Sequence, residues 1–193
     1  MFLKRRLFKG FTLIEVLVAV TVGILIILLT YASHSLVVRM TERESRKIEL
    51  VQNGRVALDR ITRELRQSDE LVTILPEVGD DPGNLPPTEI IFQDGHALDP
   101  ISYVRYYLDA NYLHRELSHY SFDTDPGVWV YWNAEDEFGG SASQTIDDDD
   151  IIAEYINNLI FWGGDRLINV SFSTSSSDDD VEFLTKVCGR NLR

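Results

Sequence analysis

From Phe11 to Leu29 the sequence is apolar except at Thr12, Glu15, Thr21 and Gly23. A helix of that length rises about 28 Å, close to the thickness of the hydrocarbon core of a bilayer. The preceding stretch, Met1 to Lys9, holds Lys4, Arg5, Arg6 and Lys9 and no acid, which marks a cytoplasmic flank. The reading is a single transmembrane helix with its N-terminus inside, covering at least Phe11 to Leu29. A secretory signal peptide would have a shorter apolar core before a small-residue cleavage site, and Thr30-Tyr31-Ala32 is only a loose match to one. The length of the run and the acid inside it weigh against that alternative.

The stretch Gly10-Phe11-Thr12-Leu13-Ile14-Glu15-Val16 resembles the class III signal of type IV pilins and pseudopilins. The basic leader, the glycine, the phenylalanine, the glutamate and the apolar run all occur at that family's spacing. The resemblance implies that a prepilin peptidase cuts between Gly10 and Phe11, that Phe11 becomes N-methylated, and that the apolar helix stays in the mature chain. The leader, residues 1–10, would be removed.

Glu15 has its own physical argument. A carboxylate on an apolar helix costs a few kcal/mol to bury and usually has a partner. After a cut at Gly10 it lies about 6 Å along the axis from the new terminus. The resemblance implies that the cationic terminal amine of another subunit neutralises it in the filament, making Glu15 an assembly contact.

Beyond the membrane segment the helical pattern continues. Residues 11–38 read as the membrane and filament-core helix, and 39–75 as a periplasmic amphipathic helix. Ile48, Val51, Leu58, Ile61, Leu65 and Val72 recur at three- and four-residue steps, with Gly54 and Ser68 at intervening positions. Asp59 with Arg63, and Arg66 with Glu70, are i,i+4 pairs expected on solvated faces. Pro76 and Gly79-Asp80-Asp81-Pro82-Gly83 end the pattern, so helix is expected to about Leu71, on the order of 90 Å in all. Gly23 and Gly54 fit either bending or close helix approach on one side, or simple tolerance on the other. Asn53 to Arg66 resembles the post-membrane helix of W-type minor pilins and of the J-type minor pseudopilins of type II secretion. Ile101–Leu108, Leu113-His114-Arg115 and Arg190-Asn191 resemble the same subgroup more loosely.

From Thr88 onward the periodicity becomes that of strands. Glu89–Phe92 is a short strand. Ile101–Leu108 and Tyr112–Leu117 form a hairpin around a three-residue loop, Asp109-Ala110-Asn111. Val128–Trp132 follows Pro126-Gly127. Ile151–Trp162 admits helix or strand, and Asn158–Trp162 with Arg166–Thr174 around Gly163-Gly164-Asp165 reads better as a second hairpin. Val181–Val187 is the last strand. The expected class is α+β, a long N-terminal helix packed on an antiparallel β-domain over residues 76–193.

Charge narrows the functions. The net charge is -13, with 12 Lys/Arg and 6 Asp/Glu in residues 1–66 against 6 and 25 in residues 67–193. So acidic a C-terminal part repels nucleic acid and anionic lipid. A single cysteine, Cys188, allows no internal disulfide. His114, Glu116 and His119 lack the spacing of a zinc helix, and on a strand His119 faces away from His114. No catalytic constellation emerges, and no enzyme is expected. The acidic loop around Glu135–Asp150 includes Asp147, Asp148, Asp149 and Asp150. These are calcium candidates, since calcium takes six to eight oxygens, but a solvated acidic run is the commoner meaning. No other cofactor is expected.

The resemblance implies a minor pilin or pseudopilin that helps initiate or cap a type IV pilus or type II secretion pseudopilus. Its partners would be prepilin peptidase, other minor and major subunits, the inner-membrane assembly platform and the lipid bilayer. It would sit in the inner membrane with a periplasmic domain, then in the filament near the tip. A tip adhesin or other ligand-binding module is the alternative, and a membrane-anchored periplasmic enzyme a more distant one.

Overall fold

The computed structural model describes residue 10 and residues 12–95, 101–164, 166–176, 179–190 and 192. The basic leader over residues 1–9, Phe11, Asp165 and Asn191 lie outside the described residues. Helix α1 runs from Leu13 to Gln67 and is followed by eight strands. They are β1 (Ile90–Gln93), β2 (Tyr103–Asp109), β3 (Tyr112–Phe122), β4 (Asp125–Val130), β5 (Ser143–Glu154), β6 (Ile156–Gly164), β7 (Leu167–Ser176) and β8 (Asp179–Cys188). The α+β expectation holds: one long N-terminal helix and antiparallel sheets against it. Two compact units divide within α1, between Ser45 and Arg46.

In the first unit the side chains from Leu13 to Leu29 are mostly apolar and exposed, Leu13 by 85% and Leu29 by 68%, and Arg39, Glu42, Arg43 and Glu44 follow nearer its end. Three threonine hydroxyls bond within the helix. Thr21 donates to the Val18 carbonyl, Thr30 to that of Ile26 and Thr41 to that of Val37. A hydroxyl bonded to its own helix leaves no open polar group in an apolar medium.

In the second unit, the last turns of α1 pack on two antiparallel sheets. In the first sheet β3 is central: it pairs with β2 over residues 112–118, with β4 over 120–122 and with β5 over 112–121, while β1 pairs with β2. The second sheet has the order β6-β7-β8. Ala57, Ile61 and Leu65 from the helix, Phe92, Val104, Tyr106 and Leu113 from the first sheet, and Phe161, Val170 and Val187 from the second form one core.

The helix stripe differs from the expected one. The buried positions are Leu50, Gly54, Ala57, Ile61, Glu64 and Leu65, whereas Ile48 is 55% exposed. Small residues mark the closest approach: a Cβ on Gly54 would overlap the Phe183 ring of β8. That ring is stacked on Phe172 with centroids 5.1 Å apart. Of the two readings of Gly54, close packing is the one observed, against β8 rather than a second helix.

The helix also ends earlier than Leu71. After Gln67 the chain turns extended and borders β1: Asp69 N donates to Gln93 O, Gln93 N to Glu70 O, and Val72 N to Ile91 O at 2.9 Å. The otherwise open edge of β1 thereby gains partners, and that competes successfully with a further helical turn. Val72 belongs to this border and not to the stripe, and Glu70 is no longer one helical turn from Arg66.

Several strand expectations need correction. The β2–β3 loop has two residues, because Asp109 pairs with Tyr112. Ala110 occupies the turn at φ 52, a left-handed conformation costing a residue with a side chain about 1–2 kcal/mol. The stretch read as an acidic loop, Glu135–Asp150, includes the first eight residues of the twelve-residue β5. Pairing along β3 overrides the poor strand propensity of consecutive aspartates. Ile151–Trp162 is strand on both sides of a break at Tyr155, which has φ 63. The second hairpin, β6–β7, forms, but Gly163 and Gly164 pair with Ile168 and Leu167 and belong to the strand rather than the expected loop; Gly163 has φ 146, and a Cβ there would overlap the Leu167 carbonyl.

Tyr103 is fully buried on β2, and its hydroxyl accepts the Trp132 N–H at 3.0 Å, fastening the segment after β4. Burial pushes this phenol up to about 12; the Trp132 N–H opposes the shift, and the nearby Glu70 charge adds to it. An ordinary phenol titrates near 10. The contribution of Tyr103 to stability is therefore full below about pH 10, and is lost as pH rises through about 12. Denaturant midpoints at about pH 9 and pH 11 should fall further apart in the native protein than in Tyr103→Phe. Equal separations would show that this phenol is not held neutral by the fold.

Candidate functional site

The N-terminus of α1 is built by two side chains. Thr12 stands immediately before the first helical residue, and Glu15 is the third residue of the helix. The Glu15 carboxylate accepts the Thr12 backbone N–H at 2.9 Å and the Thr12 hydroxyl at 3.0 Å, while Glu15 N–H donates to Thr12 Oγ1 at 3.4 Å. This is a reciprocal capping box. The first turn of a helix has N–H groups without intrahelical partners, and it attracts negative charge. Both needs are sharper beside hydrocarbon, where water does not supply bonds.

Glu15 therefore has a role within its own chain that the sequence reading missed. The Thr-x-x-Glu spacing opening an apolar run was the available signal. Gly10 is exposed, with open space where a side chain would be. The helix that follows is long and apolar enough to cross a membrane.

The aspartates considered for calcium are arranged differently. Asp147 to Asp150 lie on β5, where successive side chains leave opposite faces of the sheet. Asp147 bonds Nδ1 of His119 at 2.8 Å, and Asp149 bonds Nδ1 of His114 at 3.1 Å and the Tyr107 hydroxyl at 3.1 Å. His119 is also stacked on Trp129, centroids 4.1 Å apart. Each histidine thus fastens the acidic strand at a separate place. Among the described residues, no group of three or more His, Cys, Asp or Glu side chains converges as a metal site would require.

A second polar constellation lies between helix and sheet. Glu64 is 8% exposed and accepts the Tyr106 hydroxyl at 2.8 Å, Arg115 Nε at 2.9 Å and Arg60 Nε at 3.4 Å. Burial alone would lower the Arg115 pKa, but the hydrogen bond and charge of Glu64 outweigh it and raise the value. Burial pushes the Tyr106 phenol up, and the Glu64 charge pushes it further in the same direction. A cation held charged and a phenol held neutral converge on one carboxylate, an arrangement that fixes α1 against β2 and β3. Its signal in sequence was an acid on the buried side of the stripe, three residues after Ile61.

On the other side of β3, Arg105 bonds Glu89 at 2.6 Å and the buried Glu116 at 3.3 Å and lies over the Tyr107 ring. Gln144 donates to both Glu116 and Ser118. These groups satisfy one another, and Glu116 is accounted for as a structural acid.

No curated protein and no solved structure matches the chain. Residues 5–31 match the family model described as the prokaryotic N-terminal methylation motif. That match takes in the leader from Arg5 onward, Gly10, the Thr12–Glu15 cap and the whole apolar run to Leu29, and the chain therefore carries the N-terminal signature of type IV pilin-like prepilins.

Proposed function

We propose that this chain is a minor pilin or pseudopilin, a structural and non-catalytic subunit that helps to initiate or cap a type IV pilus or a type II secretion pseudopilus. The observation that carries the reading is the methylation motif at residues 5–31, opening onto a capped apolar helix that continues into an α+β unit. In this reading prepilin peptidase cuts between Gly10 and Phe11 and Phe11 is methylated. Residues 11–38 anchor the chain in the inner membrane and later line the filament core. The domain beyond stands in the periplasm, meeting other minor and major subunits and the assembly platform. The exposed apolar side chains from Leu13 to Leu29 support this, since such a surface is stable only in lipid or against other helices.

The cut changes the surroundings of the cap. It makes Thr12 the second residue and leaves a cationic amine one residue before it. Glu15 then has two sources of neutralisation, the capping N–H and hydroxyl of Thr12 and an ammonium from its own or a neighbouring terminus. Intact-mass and N-terminal peptide analysis of the protein from its native membrane tests the processing. The expected mature chain starts at Phe11 and bears one methyl group. A start at Ser33 or His34 without methylation would overturn the proposal.

A further inference from the structure

Where the β2–β3 turn meets the break between β5 and β6, the surface opens into a cleft of about 240 Å3 lined by Ala110, Asn111, Tyr112, Glu154 and Tyr155. Its walls are fastened together. Ile156 N donates to Asn111 O at 3.0 Å, and Ser175 N to Tyr155 O at 3.1 Å. Two of the three non-glycine residues with left-handed backbone among the described residues, Ala110 and Tyr155, stand in this one lining. A residue held with a side chain in that conformation is over-determined by its surroundings, and such residues concentrate at ligand clamps. Glycine would relieve the conformation at position 155 and would remove the ring.

The exposed chemistry is selective. Tyr112 and Tyr155 keep 42% and 36% of their surface open to solvent. Neither hydroxyl, nor the Glu154 carboxylate, has a hydrogen-bond partner within the described residues. The lining has no cation, and the whole chain is strongly acidic at -13. Aromatic faces carry negative electrostatic potential, and two rings beside a carboxylate attract an ammonium. A saccharide would also use the rings and would donate hydroxyls to the carboxylate, but it brings no charge to balance it.

We propose that this cleft binds a monovalent organic ammonium group, from either a quaternary head group or a lysine side chain. Tyr112 and Tyr155 supply the ring faces and Glu154 the counter-charge. The fixed walls mean that little ordering is needed on binding.

The test uses the full-length protein in a maltoside detergent, following the ring NMR signals of Tyr112 and Tyr155. The probes are choline, its neutral isostere 3,3-dimethylbutan-1-ol, n-butylammonium as the lysine mimic, and methyl glucoside. At least one cation should shift both rings saturably, with the neutral isostere at least about tenfold weaker. Tighter binding of choline would identify a head group as the source, and tighter binding of n-butylammonium a lysine side chain. Tyr112→Leu should abolish the response. Glu154→Gln, at an exposed side chain that folding does not need, should weaken both cations about fivefold or more. Ala110→Gly should retain binding. Equal affinity for the neutral isostere, ring shifts with methyl glucoside alone, or an undiminished response in Glu154→Gln would each overturn the assignment.

Discussion

Glu64→Ala should cost the protein about 3–5 kcal/mol of stability, the range for removing one partner of a buried ion pair. The carboxylate is the meeting point of Tyr106, Arg115 and Arg60, and it is the only acid on the buried side of α1. Without it, the Arg115 guanidinium, with 13% of its side chain exposed, loses its hydrogen-bonded counter-charge and keeps only the weaker influence of Asp94. The Tyr106 hydroxyl loses its acceptor as well. Glu64→Gln keeps an acceptor for Tyr106 while losing the charge, and should fall between Glu64→Ala and the native protein. Pairing Glu64→Leu with Arg115→Met should recover most of the loss, because apolar groups of similar volume remove both desolvation penalties together. Urea unfolding of the full-length protein in detergent measures these three variants against the native protein. A loss below about 1 kcal/mol for Glu64→Ala would mean that the carboxylate is merely tolerated there.

The second large effect concerns assembly. Glu15→Ala should leave cleavage at Gly10 intact while reducing incorporation into filaments by more than about tenfold, since neutralising a membrane-embedded carboxylate is worth a few kcal/mol. Two variants separate the roles of the carboxylate. Thr12→Val removes the capping hydroxyl, normally worth about 1 kcal/mol, but leaves the Glu15 charge available to an incoming amine. Glu15→Gln keeps a capping acceptor and loses the charge. If incorporation depends on the amine, Thr12→Val is mild and Glu15→Gln severe. If it depends on the cap, that order reverses. Shear fractions probed for the protein report incorporation, and a Glu15→Ala chain that assembles normally would remove Glu15 from the assembly mechanism.

Some features were legible in sequence because their determinants are local. The apolar run, the basic flank and the Gly-Phe-x-x-x-Glu pattern need no tertiary information, and the helix and β6–β7 hairpin follow from periodicity and glycine placement. Features decided by distant partners were not. The acidic β5 is a strand because β3 offers it a backbone edge and two histidines, and nothing within Asp147–Asp150 announces that. The helix stops at Gln67 because β1 has an edge to fill. The stripe was drawn through the larger apolar residues with Gly54 and Ser68 between them, and it left out Ala57, which packs in the core, and Glu64, the buried charge. In each case a contact distant in sequence overruled the local preference.

The end of α1 is secured from far along the chain. Arg190 N donates to the Arg66 carbonyl, and Phe183 fills the space above Gly54, so both attachments come from more than a hundred residues downstream. A chain made from its N-terminus presents the helix first and these fasteners last. The packing face of the helix therefore stays uncovered until β8 is available, and a chain stalled before β8 would leave that face open to the wrong partner.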